Sequence, residues 1–277
     1  MPEGDTIARA ARLLRDAIVG RCVTRVEVRR DPRGLRPPAA GTVVRRVEAR
    51  GKHLLVHFGD GTTLHTHLRL HGAWHVYGAG ERWRRAAHRA RAAIHVDDGR
   101  VAVCFDAPLV ELRRAVPGGR PPTPGVRALA RLGPDLCTAG VDLDAVLGRL
   151  ARLAPTTPIG DALLDQRVAA GVGNVFRCEV CWAHGVHPAT PLAALDPADR
   201  RALYATAHAQ LRANAGRARR ATHGGGLAVY GRARRPCPRC RTPVVRTREG
   251  RDRRVTYWCP ACQPPPPGYG PAAPAPA

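Results

Sequence analysis

An α+β chain of two domains is what this sequence predicts, and three observations carry that reading. One amphipathic helix is followed by a series of short strand-like segments. A Pro/Gly-rich stretch then separates those strands from a helix-rich half. That half ends in four cysteines set as two close pairs. A length of 277 residues suits two domains of ordinary size, and 44% hydrophobic residues suffice for proper cores.

Over 6–18, Ile7, Ala10, Ala11, Leu14 and Ile18 recur at helical spacing with Arg9, Arg12 and Arg15 between them. A helix there would hold the N-terminus against a folded body. Strand patterns follow at Val23–Val28, Val43–Phe58, Thr63–Leu70, Ala92–Val96 and Val101–Phe105, the last two joined by the turn Asp97-Asp98-Gly99-Arg100. Short strands with turn signals predict a β-sandwich or barrel. The run Pro117-Gly118-Gly119 through Gly125 reads as a linker. Helices are then expected near 142–153, 159–169, 175–185 and 197–218. Gly224-Gly225-Gly226 leads into the cysteine module at 237–262, and the Pro/Ala/Gly-rich tail 264–277 is expected to be disordered.

Charge narrows the function. There are 45 Lys+Arg against 22 Asp+Glu, a net charge of +23. That balance points to a polyanion, nucleic acid first and anionic membrane second. No run of about 18 apolar residues is present to span a bilayer. The N-terminus also lacks the basic-apolar-small order of a secretion signal, so a cytoplasmic setting is expected. Only one of the 45 basic residues is lysine, Lys52. A GC-rich genome explains the arginine excess, and chance survival of one lysine is an alternative to selection. An ammonium, however, is a compact charge whose pKa can be tuned, which a guanidinium is not.

The residues Met1-Pro2-Glu3-Gly4-Asp5 carry the most chemistry. Removal of Met1 would expose the secondary amine of Pro2 beside a carboxylate. A terminal amine has a reference pKa near ~7.7–8.0, so a useful fraction is nucleophilic at neutral pH. Such an amine can attack a carbonyl-level carbon and form a Schiff base. The bland reading is that proline after Met1 is common and merely permits its removal.

Cys237-Pro238-Arg239-Cys240 and Cys259-Pro260-Ala261-Cys262 form a C-x2-C pair of pairs with 18 residues between. Two such knuckles present four thiolates tetrahedrally, as one structural zinc prefers, with no position left open for catalysis. Disulfides are the alternative, and a cytoplasmic chain disfavours them. The segment between reads as a β-hairpin carrying Arg246, Arg248, Arg251, Arg253 and Arg254, a surface for phosphate. Cys178 and Cys181 share a helical face with no second pair nearby and read as small core residues. His65, His67, His71 and His75 lack a carboxylate or cysteine partner at ligand spacing and read as packed or groove-facing.

Taken in order, Met1-Pro2-Glu3-Gly4, the Gly51-Lys52-His53-Leu54-Leu55 strand, Asp165-Gln166-Arg167 with Gly171-Val172-Gly173-Asn174-Val175, Val229-Tyr230-Gly231-Arg232 and the finger ending Cys262-Gln263 resemble the formamidopyrimidine-DNA glycosylase / endonuclease VIII family. The start Met-Pro-Glu-Gly-Asp-Thr is most similar to the actinobacterial endonuclease VIII-like subgroup. The resemblance runs from residue 1 to about 263. It implies a helix plus β-sandwich catalytic domain (1–116), a linker (117–125), a helix-two-turn-helix domain (126–228), a zinc finger (229–263) and the tail (264–277).

The resemblance also implies a bifunctional DNA glycosylase and abasic-site lyase of base excision repair, with β,δ-elimination. Pro2 would attack C1′, Glu3 would act in proton transfer, and Lys52 would contact phosphate beside the lesion. Asn174, Arg232 and Arg254 would bind DNA, Asn174 and Arg254 by gripping the flanking phosphates, and Arg254 would count with Pro2, Glu3 and Lys52 as catalytic. Leu70 would be a wedge filling the space left by the flipped base, with a core strand residue as its alternative, and Arg69 and His71 could meet the orphaned base. The expected partner is damaged double-stranded DNA, with single-stranded or bubble DNA as a further candidate. The expected form is a bacterial, nucleoid-associated monomer that needs zinc, no small-molecule cofactor and no membrane.

Three departures from the family pattern matter. Asp5 and Thr6 stand where many members have a second proline and a glutamate. The run Phe105-Asp106-Ala107-Pro108-Leu109-Val110-Glu111 lacks the Arg and Phe that read the opposite base in the guanine-oxidation branch. Only Leu227 and Ala228 separate Gly226 from Val229, where that branch has a long loop over 8-oxoguanine. The last departure favours oxidised pyrimidines. Oxidised purines, abasic sites, or a catalytically silent DNA-binding protein are the other readings.

Overall fold

A computed structural model describes residues 2–29, 34–114, 124–249 and 253–270. Two compact units divide the chain, Met1–Ala130 and Arg131–Ala277.

In the first unit, α1 (Gly4–Ile18) starts directly behind Glu3, whose carbonyl accepts from the amides of Thr6 and Ile7. Ile7, Ala11, Leu14 and Ile18 are buried on one face, each large side chain stabilising by about 1.5–3 kcal/mol on removal from water. Among the described residues eight strands follow: β1 (Val23–Val28), β2 (Val44–Arg50), β3 (His53–Phe58), β4 (Thr62–His67), β5 (Ala73–Tyr77), β6 (Ala90–Val96), β7 (Val101–Phe105) and β8 (Leu109–Arg114). They form two antiparallel sheets, ordered β1-β6-β7-β5 and β2-β3-β4-β8. Val26 and Ile94 of one sheet share a core with Val47, Val56, Leu64 and Leu112 of the other and with α1. The expected sandwich is therefore present.

Two strand readings are corrected. The run Val43–Phe58 is not one strand but a hairpin, because Arg50 pairs with His53 and leaves Gly51-Lys52 as a two-residue turn. Gly51 takes φ 58°, the positive value that the first central position of a type II′ turn demands. Leu70 lies beyond the end of β4, in the turn leading to β5. The strands β5 and β8 and the short helix α2 (Pro124–Ala130) are additions to the sequence reading. Most of the 117–125 segment lies outside the described residues.

In the second unit, α3 (Leu143–Leu150), α4 (Ile159–Leu164), α5 (Asn174–Ala183) and α6 (Pro197–Asn214) enclose a core that includes Val146, Leu163, Phe176, Val180, Leu203 and Leu211. Asp142 and Asp196 cap α3 and α6 through their side chains. α4 ends at Leu164, short of the expected 169. There the Gln166 side chain donates to the carbonyls of Leu164 and Val172 and accepts from the Gly171 amide. The hairpin β9 (Val245–Glu249) and β10 (Arg254–Trp258) packs through Val244, Cys237 and Cys259 on Cys178 and Trp182 of α5. Cys178 and Cys181 are fully buried core residues, as expected. Within the tail, Tyr269 packs against His187 and Trp258, while 271–277 lie outside the described residues.

Candidate active site and metal centre

At the head of α1, Pro2 is half-buried, Glu3 is 0% exposed and Asp5 is 3% exposed. Glu3 stands at the N-cap position, yet its carboxylate makes no capping bond to the helix. Thr6 Oγ1 donates to Asp5 Oδ1 at 3.2 Å, so the two departures from the family pattern are bonded to each other.

Lys52 sits at the tip of the β2–β3 hairpin, half-buried. Beneath it runs a chain that the sequence reading missed. His53 Nδ1 lies 2.9 Å from His65 Nε2, and His65 Nδ1 lies 2.9 Å from Glu111 Oε1. The His67 ring meets the His53 ring edge-on, with centroids 4.6 Å apart. Burial, then the charges around it, push the His53 imidazole down to about 2, and burial with Arg69 and Lys52 nearby pushes His67 down to about 4. Both rings are neutral at physiological pH. The carboxylate partner for His65 comes from a distant strand, which is why spacing alone gave no sign of it.

Leu70 is 58% exposed, so its reading as a core strand residue fails. Arg69 before it holds φ 51° and donates its amide to His67 Nδ1. Gly72 closes the turn where an added Cβ would come within 2.6 Å of the Leu68 carbonyl. Arg85 donates both to the His71 carbonyl at 3.1 Å and to Asp106 at 2.5 Å, and Arg89 donates to Asp106 at 2.8 Å. Asp106 is thereby held at φ 54°, its carboxyl kept below the usual range by the Arg89 and Arg85 hydrogen bonds.

In the second unit, Gly171 takes φ 110° in the turn that aims Asn174. Asn174, the first residue of α5, donates from Nδ2 to the Val255 carbonyl at 2.7 Å. Arg177, 1% exposed, reaches the same carbonyl and donates to Thr256 Oγ1 at 2.5 Å. Arg254 is the exposed first residue of β10, beside the carbonyl they grip. Arg232 is half-buried and donates to the Pro236 carbonyl at 3.1 Å, so its guanidinium braces the approach to the finger. Glu179, fully buried, accepts from the amides of Ala228, Val229 and Tyr230 and from Thr222 Oγ1. Sequence reasoning missed that clamp too.

The sulfur atoms of Cys237, Cys240, Cys259 and Cys262 all lie within 4.8 Å of one another. Cys237 and Cys262 are 3.9 Å apart, and Cys240 and Cys259 are 3.3 Å apart. Four thiolates at ~2.3 Å from a central ion stand roughly 3.8 Å from each other, so the donor set fits a tetrahedral metal. Trp182 Nε1 donates to Cys237 Sγ at 3.3 Å, the kind of outer bond that orients a ligand. The Gln263 side chain accepts from the Cys259 amide and donates to the Val186 carbonyl.

Family models decide the identity. The formamidopyrimidine-DNA glycosylase N-terminal domain matches residues 1–108, and the H2TH domain of the same enzyme matches residues 132–222. The chain belongs to the formamidopyrimidine-DNA glycosylase family. Within that family it is 43% identical to the probable endonuclease 8 2 of Streptomyces coelicolor, over 95% of this chain and 94% of that protein. It is 39% identical to the DNA-(apurinic or apyrimidinic site) lyase Nei2 of Mycolicibacterium smegmatis, over 95% of this chain and 99% of that protein. Among solved structures, the MutM (Fpg) protein of Thermus thermophilus superposes with a TM-score of 0.75 at 29% identity, covering 96% of this chain and all of that one. The two-domain glycosylase fold is thus shared along nearly the whole chain.

Proposed function

We propose that this member of the glycosylase family is a bifunctional DNA glycosylase and abasic-site lyase of base excision repair, working through the N-terminal amine of Pro2. The observation that carries the reading is Pro2 beside a fully buried Glu3 at the head of α1. With Met1 removed, the Pro2 nitrogen attacks C1′ of the damaged nucleotide and the glycosidic electron pair leaves with the base. The proton of the attacking amine passes to the departing base, and Glu3 protonates O4′ as the C1′–O4′ bond breaks, which leaves an iminium between Pro2 and C1′. Loss of a C2′ proton then expels the 3′ phosphate, and a second elimination expels the 5′ phosphate.

Lys52 at its hairpin tip, and Asn174 with Arg254, are the phosphate contacts in this reading. The exposed Leu70 fills the space left by the flipped nucleotide, with Arg69 and His71 facing the orphaned base. The four cysteines hold zinc, which when bound supplies a cross-link for the finger and no catalytic position. Damaged double-stranded DNA is the partner, bound by a monomer. Oxidised pyrimidines are the preferred lesions, because the short segment before Val229 is pinned by Glu179.

Borohydride trapping on DNA carrying an abasic site or thymine glycol tests the reading. A covalent adduct that disappears in Pro2→Gly supports it. Absence of an adduct from protein whose mass shows Met1 removed leaves only DNA binding.

A further inference from the structure

The chain Glu111–His65–His53 joins three strands of one sheet and ends at the hairpin tip that carries Lys52. Glu111 and His65 are 3% and 0% exposed. α2 lays Gly125 over this pair so closely that an added Cβ would meet Glu111 Oε1 at 2.4 Å and the His65 ring at 2.9 Å. Water is excluded from the inner end of the chain.

With Glu111 ionised and the His65 ring uncharged, the direction of every proton follows. A carboxylate only accepts, so His65 must carry its proton on Nδ1. In the neutral ring, Nε2 of His65 is then an acceptor, and His53 must donate to it from Nδ1. His53 is left with a bare Nε2, and among the described residues no hydrogen bond is made by that atom. The opposite order would set two lone pairs against each other at the carboxylate. The rings of His65 and His67 of β4 meet the His53 ring, and Lys52 of its own turn and Arg69 beyond β4 add positive charge around it. The nearest cations are donors only.

We propose that the Glu111–His65–His53 chain is a positioning device for Lys52, fixing a proton-accepting edge and no proton-donating edge on the ring that follows Lys52 at the hairpin tip. His53 is a positioning residue acting through Lys52, and its role rests on the reading of Lys52 as a phosphate contact near the reacting sugar. A second positive charge or a competing N–H donor at the tip would repel the Lys52 ammonium. The interior carboxylate prevents both, because it sets the tautomer of a ring two hydrogen bonds away.

Substitutions at His53 separate this from simple packing. His53→Asn keeps a donor for His65 and deletes the outer acceptor. His53→Gln can place its carbonyl where Nε2 stands and deletes the inner donor. Single-turnover borohydride trapping on saturating abasic-site DNA is expected to slow about tenfold in His53→Asn, with Kd for that DNA within about twofold of the unsubstituted protein, and His53→Gln should recover most of the rate. Full rate in His53→Asn, or recovery by Asn and not Gln, would overturn the proposal. Two-bond 1H–15N NMR correlations of the histidine rings in the full chain give an independent reading. A proton on Nδ1 and none on Nε2 of His53 is expected, moving to Nε2 or averaging between the two in Glu111→Gln; a proton on Nε2 in the unsubstituted protein overturns it. If the unsubstituted protein forms no adduct, the Pro2 reading fails, and the ring tautomer alone decides this one.

Discussion

Asn174 Nδ2 donates to the Val255 carbonyl at 2.7 Å, which fastens the first residue of α5 to the strand that Arg254 begins. The helix start and the finger strand are therefore tied together, so that the two proposed phosphate contacts are held as one surface. Asn174→Asp sets a carboxylate against a carbonyl oxygen, whereas Asn174→Ala only removes the bond. The alanine change should cost about 1 kcal/mol of stability, and the aspartate change more. DNA affinity should fall in both, and further for Asp at low salt. Equal affinities for Ala and Asp in a salt titration would sink this account.

Glu179 offers a second handle, on substrate choice. It accepts three backbone N–H groups and the Thr222 hydroxyl. In Glu179→Gln the amide nitrogen turns an N–H toward donors that then lack an acceptor. Roughly 2 kcal/mol or more of stability should go, since a buried donor left unpaired costs about 1–3 kcal/mol. The freed 222–230 segment should also narrow the proposed preference for oxidised pyrimidines, read as the excision ratio of thymine glycol to 8-oxoguanine. Unchanged excision ratios with a lowered Tm would confine Glu179 to a structural role.

Leu70 is 58% exposed, so Leu70→Ala should alter folding stability by no more than about 0.5 kcal/mol. Excision from duplex DNA should nevertheless slow, and slow less on single-stranded DNA, where no partner base needs replacing. Denaturant melts together with both excision assays decide it, and a loss of several kcal/mol in the melts would return Leu70 to the core.

The finger depends on its four sulfurs. One equivalent of zinc per chain is expected by elemental analysis, and a strong chelator should lower both Tm and DNA affinity. Cys259→Ser, at a buried position, should lower zinc content and Tm more than Arg248→Ala does. Full thermal stability after verified metal removal would contradict a structural role.

Acid should destabilise the first unit through its histidines. Burial first of all holds His53 near about 2 and His67 near about 4 in the folded state, against ~6.5 when unfolded. Below about pH 6.5 the unfolded chain binds protons that the folded chain refuses, so stability falls as pH falls. The loss approaches about 1.4 kcal/mol per pH unit for each ring, ending near pH 4 for His67 and continuing lower for His53. Melts between pH 7.5 and 5 should show the decline, and His67→Asn should reduce its slope. An unchanged slope in that variant would rule His67 out as a source.

Much of the molecule was readable from residues close together in the chain. The spacing of Ile7, Leu14 and Ile18 marked α1, Asp97-Asp98-Gly99-Arg100 marked a hairpin, and the paired C-x2-C knuckles marked the four-sulfur cluster. Each is local, with its decisive partners a few positions apart or repeated at a fixed period. The Gly51-Lys52 turn was hidden because β2, which mixes Val44, Val47 and Ala49 with charged residues, runs straight into the apolar β3 with one glycine as the break between them. β8 was hidden because Val110, Glu111 and Leu112 are all buried and show no alternation.

By itself the sequence determined the chemistry on offer: a Pro2 amine, one lysine, four thiolates and a surplus of arginine for a polyanion. Only the tertiary structure decided how those groups are held. Glu111 meets His65 from 46 positions away, and Glu179 meets the Val229 amide from 50. Bonds of that kind join strands and loops whose pairing is fixed by burial of the whole core, so no local period announces them. They set the tautomer beside Lys52 and the length of free chain before the finger, two properties that residue identity leaves open.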